Sequence, residues 1–324
     1  MNADIRDFGT TSAGVAVQRI TLRSGPLTAS LLTWGAVLQS LWMAGVGQSL
    51  TLGSDRLADY EDDMRYHGSL IAPVVNRFSG AQAPIAGQTH QFDRNQDNRI
   101  TLHSGSAGTH LKVWDLVDAT ETSATLSLTL PDGEGGFPGT RTINTRFTLT
   151  DTALRMNITA TTTAPTLLNP ANHSYWNLDG TDSWAGHTLR IAADHYLPTT
   201  PDFTPTGEIV ATAGSAHDFR NARTVTPQNP ALDNCFCLAD ADRPLTDVLW
   251  LTGQCGLEMT VATTAPGIQL YDGRNAIRPG KAGYEGIAIE AQGWPDAPNH
   301  PEFPGIELHP GQTYHQITEW RFRT

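Results

Sequence analysis

Between residues 124 and 159 apolar and polar side chains alternate with a period of two. Ala124, Leu126, Leu128 and Leu130 fall on one side, against Thr125, Ser127 and Thr129. Ile143, Phe147 and Leu149 oppose Thr142, Asn144, Arg146 and Thr148, and Leu154, Met156 and Ile158 oppose Arg155, Asn157 and Thr159. Successive side chains of a strand point to opposite faces, so this rhythm predicts three half-buried strands. Thr150-Asp151-Thr152 is short enough for a hairpin, and Asp132-Gly133-Glu134-Gly135-Gly136 reads as the turn before it. The three strands are therefore expected to be consecutive and antiparallel.

Further strands are predicted at 19–23, 27–33, 37–43, 187–192, 257–263 and 314–322, which reach both ends of the chain. A period of 3.6 persists nowhere for the ten or so residues a helix needs, and only 56–62 reads as a helical turn. No Pro-rich or charged linker divides the sequence. The expected architecture is all-β: one large antiparallel β-sandwich, a single domain over residues 1–324.

Composition agrees with strands and turns. Of 324 residues, 39% are hydrophobic and 17% charged, against usual values of about 45–50% and about 25%. Thr, Gly, Pro and Ser fill the difference, which argues against helical bundles. Asp and Glu number 33 against 21 Lys and Arg, a formal charge of −12 that repels phosphate backbones and anionic lipid. Neither a nucleic-acid nor a membrane partner is expected. The start has no apolar leader segment, and no run approaches the roughly 18 apolar residues of a membrane span. The expectation is a soluble cytoplasmic protein. Its three cysteines cannot all pair within one chain, and Cys235 and Cys237, two apart on one strand face, read as buried free thiols.

Esterase, nucleotide-binding and zinc-peptidase signatures are absent. The chemistry must lie in polar residues in unusual company. Asn172, His173, Tyr175, Trp176 and Asn177 form a short cluster of amides, an imidazole and large rings. A pyranose, with apolar ring faces and many hydroxyls, suits that mixture, although a satisfied core histidine fits the segment alone. His103 precedes a glycine-containing loop, and Arg77 offers a planar fork to hydroxyls or a carboxylate; each alone also reads as a surface residue. Glu290 stands in the apolar alternation of Ile287, Ile289 and Ala291. Burial there raises a carboxyl towards the range of a general base, unless an arginine such as Arg77 pairs with it.

In order along the chain come NRF at 76–78, LHSG at 102–105, NHSYWNL at 172–178, PTGEI at 205–209, DFR at 218–220, DNCFCL at 233–238, PGIQLYDG at 266–273 and EAQGWPDAPNHPEFP at 290–304. This ordered series resembles the aldose 1-epimerases, or galactose mutarotases. The resemblance implies the supersandwich fold of that family and interconversion of the α and β anomers of free aldoses, without cofactor or metal, by a monomer or homodimer. It implies Glu290 as general base, His173 as general acid and His103 as a second histidine near the ring oxygen. Arg77, Asp233 and Gln269 match residues that hold sugar hydroxyls, and Asn76 matches a neighbouring contact.

Five positions depart from the family pattern: Ala72-Pro73 stands where Gly-Arg is usual, Ser104 replaces a glycine, Asn234 a histidine and Trp176 a phenylalanine. They bear on loop shape and sugar preference. Two other readings remain: a non-catalytic sugar-binding or sensing protein, and a glycosidase using Glu290 with Asp233 or Asp296. The latter needs carboxyls about 5–5.5 Å or about 6.5–9.5 Å apart. A phosphosugar substrate is disfavoured, because the sequence clusters no second arginine or lysine with Arg77.

Overall fold

The computed structural model describes residues 3–324. The three alternating segments form adjacent antiparallel strands, Ser123–Leu130, Arg141–Leu149 and Ala153–Thr162. Ala124 lies opposite Phe147 and Phe147 opposite Met156, so one apolar row crosses all three strands. They belong to a nine-stranded sheet that continues through Tyr314–Arg323, Glu258–Thr263, Thr246–Thr252 and Thr188–Ile191. Ala16–Ser24, Leu27–Leu32 and Leu38–Met43 lie in a four-stranded sheet. Predicted boundaries hold within one to three residues, and the expected helical turn is Leu57–Glu61.

The large antiparallel β-sandwich closes around one main core. That core takes Ile20 and Leu31 from the four-stranded sheet, Phe147 and Met156 from the nine-stranded one, and Leu270 and Ile289 from a third, six-stranded sheet. Burying a side chain of this size contributes about 1.5–3 kcal/mol. Trp176 packs its ring, tilted, 5.8 Å from Trp320 and 5.9 Å from Phe322, tying the six-stranded sheet to the nine-stranded one.

The six-stranded sheet carries the polar residues of interest. Its order runs Tyr175–Trp176, Ile287–Gln292, Gly267–Tyr271, Asp233–Cys237, His195–Tyr196, Val210–Ala211. Two small ladders stand beside it: Leu70–Ile71 pairs with Ala171–Asn172, and Arg77–Phe78 pairs with Thr101–Leu102. Cys235 and Cys237 are buried in an apolar pocket with Leu197, Trp294 and Phe303, whereas Cys255 is exposed; all three thiols are free. Among the described residues no helix is long and apolar enough to cross a membrane.

Candidate active site

Every residue of the strand Ile287–Gln292 is buried, including Glu290. Glu290 faces Gln269 across the ladder. Its Oε1 lies 3.5 Å from Nε2 of His173 and its Oε2 has no hydrogen-bond partner. Burial, with the nearby Asp233 charge, pushes its carboxyl well above the usual carboxylate range, against the weaker pull of Arg77.

His173 follows directly on the strand Ala171–Asn172 and is held by main-chain bonds. Its amide donates to Ser69 O at 2.8 Å, and its carbonyl accepts from Gly68 N at 3.1 Å. The Asn172 amide group donates to Gly68 O at 2.8 Å. Gly68 has φ +73°, and a Cβ there would meet Leu38 O at 2.2 Å, so only glycine fits. Desolvation lowers the His173 imidazole to about 4, leaving it neutral at pH 7.

His103 packs edge-on against His173 with centroids 5.3 Å apart. Its amide donates to Asn76 O at 2.8 Å, while Asn76 N donates to its Nδ1 at 3.1 Å. With Nδ1 accepting, the neutral ring carries its proton on Nε2. Asn76, His103 and Ser104 all have φ between 51° and 65°, a concentration of left-handed backbone of the kind that gathers at functional sites. Ser104 explains its departure from glycine: its hydroxyl accepts from Val74 N and donates to Val74 O, both at 2.8 Å. It thereby fastens the His103 loop to the one that presents Asn76 and Arg77.

The suggested pairing of Arg77 with Glu290 is not what forms. Arg77 Nη1 lies 3.4 Å from Asp233 Oδ2, and its Nε donates to Gln96 Oε1 at 3.0 Å. Asp233 takes a second bond, at 2.7 Å, from Gln269 Nε2. The geometric reason is topology: Asp233, at the start of its strand, faces Tyr271, whereas Glu290 sits two strands away, beyond Gly267–Tyr271 and beside Gln269. Asn234, in place of the usual histidine, donates to Leu197 O at 3.1 Å and so anchors the segment leading into the loop that bears Phe203.

These elements enclose a cavity of about 350 Å³. Glu290, His173, His103, Asn76, Arg77 and Asp233 all line it, while Gln269 lies behind Asp233. Asp296 lies outside the lining and accepts from Ser79 N and the Asn299 amide, which removes it as a second carboxylate for a glycosidase. Among the lining residues that escaped the sequence reading are Tyr66, His67, Gln96, Phe203 and Arg274. Tyr66 and His67 immediately precede Gly68, a glycine with positive φ, and that was the one signal available. Arg274 also overturns the expectation that no second cation accompanies Arg77, since both guanidiniums lie over the Phe203 ring, at 5.2 and 5.9 Å from its centroid.

The chain that folds around this cavity matches relatives in sequence and in structure. The family model for aldose 1-epimerase matches residues 18–321. A galactose mutarotase from Rattus norvegicus is 31% identical over 96% of this chain and 95% of its own. An aldose 1-epimerase from Escherichia coli (strain K12) is 31% identical over 95% and 96%. A solved aldose epimerase homologue from C. elegans superposes with a TM-score of 0.87, at 28% identity, covering 95% of this chain and 99% of that one. The match extends over the strands that carry Glu290, His173 and Asp233, and the chain belongs to the aldose 1-epimerase family.

Proposed function

We propose that the protein is an aldose 1-epimerase that interconverts the anomers of a free aldose by general acid–base catalysis. The observation that carries the reading is the pair of Glu290 and His173, 3.5 Å apart and both buried in the cavity.

Ring opening needs one proton removed from the anomeric hydroxyl and one delivered to the ring oxygen. The pair holds a single proton for this purpose. Burial favours it on Glu290, because desolvation raises the carboxyl and lowers the imidazole. A bound sugar reverses the preference: its anomeric O–H donates to the carboxylate, and its ring oxygen accepts from the imidazolium. Glu290 then takes the O1 proton as His173 gives its own to O5, and the hemiacetal opens to the aldehyde. After a half-turn about C1–C2 the same transfers run backwards on the other face. Each positioned acid or base contributes about 10²–10⁴ in rate.

His103, with its proton on Nε2, serves as a hydrogen-bond donor near the ring oxygen. Arg77 and Asp233 hold the distal hydroxyls, with Asn76 beside them and Gln269 bracing Asp233, so that C1 stays free to turn. We further infer one catalytic domain acting as a monomer or homodimer in the cytoplasm, a compartment consistent with its free thiols. Polarimetry on freshly dissolved α-D-glucose and α-D-galactose tests the function. The expected result is faster approach to equilibrium than in buffer; no acceleration with any common aldose overturns it.

A further inference from the structure

The proposed cycle asks His173 to carry a positive charge where a charge is disfavoured. Burial lowers its imidazole to about 4, and the Arg77 guanidinium acts in the same direction. His67, His103 and His110 also interact with its charge, but burial holds all three neutral. Among the described residues Glu290, at 3.5 Å, is the one carboxyl paired with it. In the cycle that carboxylate is also engaged with the anomeric hydroxyl, so it is shared.

Two tyrosine rings pack on the imidazole. That of Tyr66 stacks on it, with centroids 5.8 Å apart and planes 27° from parallel, and that of Tyr175 leans over it at 5.1 Å and 39°. Tyr66 also meets His103 at 4.6 Å, so one ring packs on both imidazoles assigned to the sugar's ring oxygen. An apolar bed of Ile71, Val75 and Ala171 carries it. The Tyr66 hydroxyl makes no hydrogen bond among the described residues, and burial raises the phenol, which stays neutral at pH 7. What Tyr66 brings to the histidines is therefore its ring.

The face of an aromatic ring carries partial negative charge and attracts a cation within about 6 Å of its centroid, more strongly where water is excluded. A neutral imidazole gains far less from the same face. The stack therefore favours the protonated ring, against the desolvation that opposes it.

We propose that Tyr66 is a positioning residue that stabilises the imidazolium form of His173 through the face of its ring. The inference rests on the mutarotase reading, in which His173 must be charged to open the sugar.

Anomer exchange of D-glucose and D-galactose, measured by NMR on the whole protein across pH, tests it. The variants are Tyr66→Phe, Tyr66→Leu and, in place of Tyr66, phenylalanines carrying one, two or three fluorines. Fluorine draws charge from the ring face and barely alters its shape. Tyr66→Phe should keep kcat/KM within about threefold, each added fluorine should lower it further, and Tyr66→Leu should lose at least about tenfold. Weakening the ring lowers the proton affinity of His173, so the acid limb of kcat/KM should move to lower pH in Tyr66→Leu and in the trifluoro variant. The fluorinated series preserves packing and stands if Tyr66→Leu folds poorly. Equal kcat/KM across that series overturns the proposal. So does a loss at pH 7 with the acid limb unmoved, the mark of a ring that only stacks on the sugar. Should the wild-type protein accelerate exchange of neither sugar, the mutarotase reading falls instead.

Discussion

Nε2 of His173 and Oε1 of Glu290 lie 3.5 Å apart with almost no solvent reaching either side chain. Both groups, proposed to trade protons with a sugar, are thereby largely desolvated. Removing either should leave the sheet intact and disable the chemistry. Glu290→Gln preserves shape and removes the base, so activity is expected to fall about 10²–10⁴-fold at unchanged Tm. Wild-type turnover by polarimetry would exclude Glu290 as the base.

His173→Asn is expected to lower kcat by a similar factor with little change in KM, since the imidazole acts on the ring oxygen as it gains charge. A change confined to KM would make His173 a binding group only.

The shared proton also sets the pH profile. Activity requires the pair to hold one proton, so kcat/KM should be bell-shaped, with apparent constants that belong to the pair. The acid limb is set by adding a second proton to the lowered imidazole, near about 4, and the alkaline limb lies well above the ordinary value of 4.5 for a glutamate. A profile that still rises at pH 9 contradicts the one-proton pair.

Stability should fall in acid for a separate reason. His67, His103, His110 and His173 are all buried, and desolvation holds each below the ordinary 6.5, His67 and His110 at about 3 and His173 at about 4. Below pH 6.5 the unfolded chain binds protons that the folded one refuses. Stability present above pH 6.5 is therefore lost as the pH drops towards 4, at about 1.4 kcal/mol per pH unit for each such proton. Raised carboxyls, Glu290 above 4.5 and Asp233, Asp242 and Asp296 above 3.8, oppose this, while the imidazoles of His187 and His217, also lowered, add to it. Tm scanned from pH 7 to pH 5 should decline steeply; a flat Tm would show that these rings are solvated.

Gln269 contacts Asp233 from behind the cavity wall, at 2.7 Å. Gln269→Leu strips a bond from the carboxylate proposed to orient sugar hydroxyls, so KM should rise about tenfold while kcat changes less. Equal losses in kcat and KM, or none, would remove its positioning role.

The alternation at 124–159 was enough to place three strands of the nine-stranded sheet, because a half-buried surface imposes a period of two over many residues. The strands that build the site leave no such trace. Arg77–Phe78 and Tyr175–Trp176 are two residues long, too short for any period, and Ile287–Gln292 is buried on both faces, so its polar members look like exceptions. Glu290, His173 and His103 were legible because ordered motifs mark them. Arg274 and Phe203 were not, because their approach to Arg77 is made only by folding, between segments far apart in the chain that share no pattern. The same is true of Gln96, which meets Arg77 through a loop bond at 3.0 Å.

Glu290 is carried on a sheet strand whose neighbours on either side belong to the same buried floor. A base set in such masonry cannot follow its proton around the substrate. The travelling part of the cycle is therefore the sugar itself, whose aldehyde swings while the protein stands still. Turnover of this kind asks for no recoil from the catalyst, and it should persist where large motions are forbidden, as in a crystal soaked with a single anomer.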